Sequence, residues 1–425
     1  MNVSPFRGIR YNRRIVGEVG QVICPPYDVI TVEQQKLHYA KSDYSVIRLE
    51  LPEPTEDRYA RAAITFGQWL KQGILQRDSA SSFYVHDHIF EYSGETMTRR
   101  GLIARVRLEP WGNGIYPHEE TSSKAKADRL QLMRACRANF SPLFCLYHDS
   151  GQEVAGVLAY AVRGRPLMSL RTERSNLLDS NEAHLLWAIT DGETQLQLSR
   201  HLFSWPLYVA DGHHRYETAL AYQQERAQCD SDGCKVTAEG ADYVMMELVE
   251  FSDPGLVVLP LHRLVRGVAR SILTNLAGLL SRFFVLEYIS LEAEDCKVPA
   301  DSFLGVLGLR PGWLVALKRR EDVSFESMMP GSRSEAYRDF GVSIINHIIV
   351  DNVLSGCQNL DMAYTVDLRE AHRDIEQGKY QLAFLLNPPR LETIRAVAAA
   401  GDRLPRKSTY FHPKLPAGLV INSLD

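Results

Sequence analysis

Apolar residues recur every third or fourth position in some stretches of the chain and every second position in others, so helices and strands are mixed throughout. Tyr59, Ala62, Ala63, Phe66 and Leu70 stand near helical spacing and predict a helix over 56–73, closed by Gly73. Thr31 followed by Gln34 has the capping-box pattern that starts an earlier helix. The run 44–51, with Val46, Ile47 and Leu49, reads as a strand. Loose alternation over 82–92 and 97–108, around Ser93-Gly94-Glu95-Thr96, predicts a hairpin. A helix over 126–139 and a strand over 143–147 follow. The pattern then gives a polar stretch over 172–181 and a strand, turn and helix over 207–227. A polar loop spans 226–240, with strands over 241–251 and 257–261. Beyond these come a helix over 268–282, a strand over 283–290, a buried helix over 344–354, a helix over 393–400 and a last strand over 419–424. No internal repeat or low-complexity tract breaks the sequence. The expected class is α+β: a mixed-sheet α/β core with a C-terminal α/β portion. Three regions are expected: an N-terminal one (1–115), a central one (116–265) and a C-terminal one (266–425).

Composition narrows this picture only a little. The 425 residues are 45% hydrophobic and 24% charged, as in an ordinary soluble protein with a sizeable core. A net charge of −4 supplies no global basic field and argues against nucleic acid as a partner. The seven cysteines contain no pair at the Cys-x-x-Cys spacing of a zinc or redox site, which fits reduced thiols in a cytoplasmic protein, and no residue is assigned as a metal ligand. Residues 1–11 lack the apolar run of a signal peptide, and no stretch approaches the ~18 apolar residues of a membrane helix.

The chemistry concentrates in a few segments. Val209-Ala210 leads into Asp211-Gly212-His213-His214-Arg215, then a helical pattern. A strand, a glycine turn and a helix start form a recurring anion site, because the first helical N–H groups and the helix dipole favour negative charge. Gly212 permits close backbone approach, Arg215 can grip two phosphate oxygens, and His213 and His214 can donate hydrogen bonds or move a proton. The same residues also suit a plain surface turn. His118-Glu119-Glu120-Thr121 precedes Lys126, Asp128 and Arg129. There an imidazole beside a carboxylate could orient a proton transfer or bind hydrated Mg²⁺, and the cations could hold phosphates. A solvated, charged helix start is the simpler account of the same residues. Near the C-terminus, Pro405-Arg406-Lys407-Ser408-Thr409-Tyr410-Phe411-His412-Pro413-Lys414 packs cations, hydroxyls and aromatics between prolines. It could clamp an anionic ligand or anchor the last strand. Cys24-Pro25-Pro26-Tyr27-Asp28 reads as a rigid turn.

These four ordered motifs resemble the prokaryotic family known as domain of unknown function 1015, nearly end to end. The Asp211–Arg215 element also resembles the ParB/sulfiredoxin superfamily, in which a glycine and an arginine at a helix start bind nucleotide phosphates. Its form is nearest that of the free-serine kinases. That resemblance implies a phosphate-binding strand–turn–helix. It departs from the sulfiredoxin pattern, whose cysteine is replaced here by His213, and no basic recognition helix like that of the partition proteins follows residue 220.

The leading expectation is therefore a kinase-like, nucleotide-dependent phosphotransferase, or its reverse, acting on a small hydroxylated metabolite such as serine or phosphoserine. ATP or ADP, or else CTP, would be the nucleotide, with Mg²⁺ as a possible ion. Gly212, His214, Arg215, Lys126, Arg129, Lys407, Ser408 and Lys414 are the expected nucleotide contacts. His118, Glu119, Asp211 and His213 are the expected catalytic groups. Two alternatives stand beside this: a nucleotide-sensing module related to partition proteins, and a nucleotide-independent phosphohydrolase using His118 and Glu119.

Overall fold

The computed structural model describes residues 1–172, 181–231, 239–291 and 297–425. The expected polar stretch, apart from its ends, and residues 232–238 of the expected loop lie outside the described residues. The chain divides into two compact units. The first comprises Met1–Pro117, Thr121–Leu256 and Pro413–Asp425, and the second comprises His118–Glu120 and Val257–His412.

A nine-stranded sheet forms the first unit. Its strands are β1 (Val3–Ser4), β2 (Phe83–Tyr92), β3 (Glu95–Arg107), β4 (Ile115–Tyr116), β5 (Leu143–Tyr147), β6 (Met168–Thr172), β7 (Glu182–Ile189), β8 (Leu207–Asp211) and β9 (Tyr243–Glu250). They run in the order β4-β8-β5-β9-β3-β2-β7-β6, with β1 beside β3. β8 pairs with β4, and β9 with β5, in parallel; the remaining pairs are antiparallel. Both faces of the sheet are covered. Tyr84, Ile103, Leu186 and Met245 enter one apolar cluster, while Phe83, Val85, Leu102, Val244 and Met246 enter another. The split follows from the two-residue period of a strand. Burial on both sides explains why several strands read as nearly continuous apolar runs.

Five helices of this unit matter below: α1 (Val32–Lys41), α2 (Ile47–Glu50), α3 (Arg58–Lys71), α4 (Ser123–Cys136) and α5 (His213–Ser231). The Thr31 side chain accepts from the Gln34 backbone and the Gln34 side chain accepts from Thr31, so the capping box that starts α1 is present. The hairpin is β2 and β3, within a few residues of its expected ends. The expected strand over 44–51 is instead the short helix α2. Val46, Ile47 and Leu49 are all buried around a half-buried Arg48, and so short a segment carries no period to separate strand from helix. Helix α5 continues to Ser231, into the segment expected to be a loop. Of the expected last strand, only Asn422–Ser423 pairs as a strand, against Ala138–Asn139.

In the second unit, six antiparallel strands form one sheet: β10 (His262–Arg266), β11 (Phe284–Ser290), β12 (Leu304–Leu307), β13 (Trp313–Arg319), β14 (Asp361–Thr365) and β15 (Leu382–Leu386). Their order is β11-β13-β12-β15-β10-β14. The helices Arg270–Leu280 and Leu391–Ala399 and the π-helical segment Ile345–Val353 supply Leu276, Val397 and Ile348 to a core that also holds Val265, Val315 and Phe384. The architecture is α+β, as expected. Among the described residues, no helix is long and apolar enough to cross a membrane.

Two glycines give opposite stability outcomes. A Cβ on Gly20 would lie 1.9 Å from the Arg171 carbonyl oxygen, so Gly20→Ala should destabilise by about 1–3 kcal/mol or more. A Cβ on Gly67, exposed in α3, meets nothing within 4 Å, and Gly67→Ala should stabilise by up to about 1 kcal/mol. Urea unfolding of both variants checks the pair.

Candidate functional site

The mid-chain motif folds as a strand, a turn and a helix. The pairing of β8 with β5 shifts register between Val209 and Asp211, and Gly212 follows with φ +97°. That conformation suits glycine, and a Cβ there would press on the Arg215 guanidinium at 3.1 Å. One turn into α5, Arg215 reaches back: Nη2 donates to Asp211 Oδ2 at 2.9 Å, and Nη1 donates to Ser141 Oγ and to the Pro142 carbonyl, both at 2.8 Å. The other Asp211 oxygen, Oδ1, is ion-paired with Lys414 Nζ. The Arg215, Asp211 and Lys414 side chains are only 12%, 14% and 10% exposed. Burial alone would push the Asp211 carboxyl up, but the Lys414 and Arg215 cations outweigh it and hold the carboxyl well below the usual carboxylate range.

Beside Arg215 lies a small cavity of about 40 Å³, lined by Glu50, Arg129, Ser141 and Arg215 together with apolar groups such as Leu132 and Leu143. Glu50, at the end of α2, is 3% exposed and accepts a hydrogen bond from Ser141 Oγ at 3.1 Å. Ser141 thus links the Glu50 carboxylate to the Arg215 guanidinium. Arg129, in α4, donates to the Glu50 carbonyl at 2.6 Å and to Asp128 through Nε and Nη2 at 2.9 and 2.5 Å, and its guanidinium lies over the Tyr27 ring at 4.2 Å. The Pro25-Pro26-Tyr27 turn therefore supplies an aromatic face under a buried arginine. Space on this scale admits about three waters, or one oxyanion group, but not a whole nucleotide.

The remaining groups near α5 hold loops. His214 Nε2 accepts the Ser122 backbone N–H at 2.8 Å. Glu217 Oε2 takes hydrogen bonds from Thr121 at 2.6 Å and Lys126 Nζ at 2.8 Å, and Oε1 takes one from Trp111 at 3.1 Å. His213 is buried, with its ring 6.5 Å from that of Trp111.

Four expected site residues lie in the second unit. Glu119 accepts the backbone N–H groups of Lys407 and Ser408 at 3.0 and 3.2 Å, and His118 Nε2 lies 2.8 Å from Thr409 Oγ1. The His118 carbonyl accepts from Leu404 at 2.7 Å. Arg263 donates to the Lys407 carbonyl at 3.0 Å. Burial brings that guanidinium down to about 10, against the upward pull of Tyr364 and Glu119. Two motifs almost 290 residues apart thus fold onto each other, with the Glu119 carboxylate as the clasp.

Asp211, Gly212, Arg215 and Lys414 come together in the first unit, where Lys126, Arg129, His213 and His214 also lie. Sequence reading missed Glu50 and Ser141. A carboxylate ending the apolar run Val46–Leu49 was the available signal for Glu50, since a lone acid there is either paired or functional. Ser141 carried none. Among the cysteines, Cys24, Cys136 and Cys145 are buried free thiols, and burial pushes Cys136 up to about 12, away from nucleophilic use.

The Asp211 pairing generates a pH-dependent outcome. The folded-state pKa lies below the unfolded value, so the stabilisation is present above the ordinary carboxylate range and is lost as pH falls through and below it. Asp211→Asn should destabilise by about 3–5 kcal/mol at pH 7 by leaving two buried cations unpaired. The gap between wild type and variant should narrow below about pH 4. Denaturant unfolding at the two pH values measures it.

The chain matches the family model described as protein of unknown function (DUF1015) over residues 3–343. No curated protein matches it. Among solved structures it is similar to a free serine kinase variant in complex with AMP, at TM-score 0.35 and 12% identity, covering 73% of this chain and 87% of that one. A conserved hypothetical protein from Pyrococcus furiosus gives TM-score 0.36 and 13% identity over 76% and 95% of the two chains. SbnI with C-terminal truncation from Staphylococcus aureus gives 0.33 and 12% over 73% and 84%. The family match takes in the Asp211–Arg215 turn, the buried Glu50 and the His118–Glu119 clasp, and the chain belongs to the DUF1015 family.

Proposed function

We propose that this protein is a nucleotide-dependent phosphotransferase acting on a small hydroxylated metabolite, of the serine or phosphoserine kind. One observation carries the reading: a buried carboxylate, a hydroxyl and two guanidinium groups surround one phosphoryl-sized cavity beside the start of a 19-residue helix. Phosphoryl transfer asks mainly for positioned cations and a proton acceptor. Arg215, Arg129 and the start of α5 would neutralise the transferring group, with ATP or ADP as donor. The hydroxyl oxygen of the acceptor attacks phosphorus, the bond to the leaving nucleotide oxygen breaks, and the hydroxyl proton passes to Glu50. Ser141 Oγ, already donating to Glu50, marks the position from which such a proton would come.

This reading moves the proton acceptor from Glu119 to Glu50. Glu119 has both oxygens on backbone N–H groups and serves to shape the Lys407–Ser408 loop. Asp211 serves to anchor Arg215 and Lys414 rather than to bind Mg²⁺, since each of its oxygens already meets a cation.

Two variants test the proposal. Arg215→Ala should weaken ATP or ADP binding at least tenfold, about 1.4 kcal/mol by calorimetry, with circular dichroism checking the fold and Arg215→Lys retaining part of the affinity. Glu50→Gln should keep nucleotide affinity and lower transfer, followed by ³¹P NMR over a panel of hydroxylated amino acids, by about 10²–10⁴-fold. Unchanged binding in the first variant, or unchanged transfer in the second, overturns the assignment. Tight CTP binding without turnover would favour a nucleotide sensor instead.

A further inference from the structure

The sheet of the first unit buries a second polar cluster, which phosphoryl transfer does not use. Residues two apart on a strand share a face. His86 and His88 therefore share the Tyr84 face of β2, and Glu182 and His184 share the Leu186 face of β7. Register sets His184 opposite His88, and His88 opposite Arg99 of β3. Gly101 stands opposite His86, and a Cβ there would lie 2.5 Å from Glu247 Oε1, so the missing side chain lets Glu247 of β9 reach across.

With His86 neutral, its Nδ1 donates to Glu247 at 3.0 Å, which leaves the lone pair of His86 Nε2 to accept from His184 Nδ1, also at 3.0 Å. The proton on His184 is then at Nδ1, and its Nε2 presents a lone pair. That nitrogen is buried with no hydrogen-bond partner and stands 3.8 Å from Glu182 Oε2. The same carboxylate oxygen is 2.6 Å from His88 Nε2. Two electron-rich atoms facing each other in a buried place call for a cation between them.

We propose that His88, His184 and Glu182 form a site for one divalent transition-metal ion of the Zn²⁺ class. Their donor atoms all lie within 4.8 Å of one another. Two imidazole nitrogens and one carboxylate oxygen suit Zn²⁺ better than Mg²⁺ or Ca²⁺, and three protein ligands leave a fourth position open. His86 and Glu247 behind His184 form the outer hydrogen-bonded pair that orients such a ligand. Uptake moves the His88 ring proton from Nε2, where it is donated to Glu182, to Nδ1. Arg99 Nη2, now 3.1 Å from Nδ1, gives up that bond and keeps its bond to the Pro413 carbonyl at 2.9 Å. The Arg99 charge opposes the ion and makes the site weaker than an all-cysteine structural centre.

The test uses the full chain stripped with a chelator, then titrated with Zn²⁺ alone and with Co²⁺ as a spectroscopic stand-in. One equivalent of Zn²⁺ per chain, a tetrahedral Co²⁺ spectrum and a Zn²⁺-dependent rise in Tm are expected. His184→Gln and Glu182→Gln should each weaken Zn²⁺ binding at least about a hundredfold, more than loss of an outer partner costs. Glu182 is the more exposed ligand, so its variant keeps the test open if His184→Gln fails to fold. His148→Asn, which removes the exposed histidine paired with Glu250, should leave binding unchanged. Failure to bind one equivalent, or one-to-one binding that survives both ligand changes, overturns the proposal.

Discussion

A single buried carboxylate fixes the centre of the first unit. Asp211 is held by two cations from opposite directions in the sequence, Arg215 one helical turn ahead and Lys414 near the C-terminus. The three groups are individually expensive to bury and tolerable only together. Their pairing sets the exit of β8, the angle at which α5 begins and the path of the C-terminal segment. Through Arg215 the constraint passes to Ser141 and on to Glu50. The cavity is thus bounded by groups whose positions are set by charge and hydrogen bonds, with apolar packing behind them.

The same sheet tolerates a second concentration of polar atoms for a related reason. The row Arg99, His88, His184 and His86 runs across β3, β2 and β7, with Glu182 and Glu247 beside it. Each ring stacks or tilts against its neighbour, with His88 and His184 centroids 4.2 Å apart. Imidazoles can alternate as donor and acceptor, so a row of them carries hydrogen bonds across strands where fixed donors such as lysine could not. One ring nitrogen of the row, His184 Nε2, has no hydrogen-bond partner, and that remainder gives the cluster its chemical interest.

Much of the fold could be read from the chain because its signals are local. The capping box at Thr31, the turn at Ser93–Gly94 and the glycine at 212 each specify backbone geometry within a few residues. The failures are non-local. Val46, Ile47 and Leu49 form a helix because surrounding elements bury all of them, which no neighbour in sequence reveals. The site divides in the same way. Asp211 and Arg215 were visible as a contiguous motif, whereas Glu50 and Ser141 join them only through tertiary packing. The histidine row was hidden because its members are cross-strand neighbours, with His88 and Glu182 94 positions apart. The alternation Tyr84-His86-His88-Phe90 held a hint, since polar residues on the inward face of an otherwise apolar strand need partners.

The chain passes between its two units at four points, and the first unit is finished only by Pro413–Asp425. Those last residues bring Lys414 to Asp211, and Asn422 to Asn139 at 3.0 Å. During synthesis, the N-terminal sheet therefore lacks one of the two cations that Asp211 pairs with until residues 413–425 have been made. By then every residue of the second unit has already been synthesised. The first unit is therefore not one that can be completed in the usual N-to-C direction, in which the leading domain settles first.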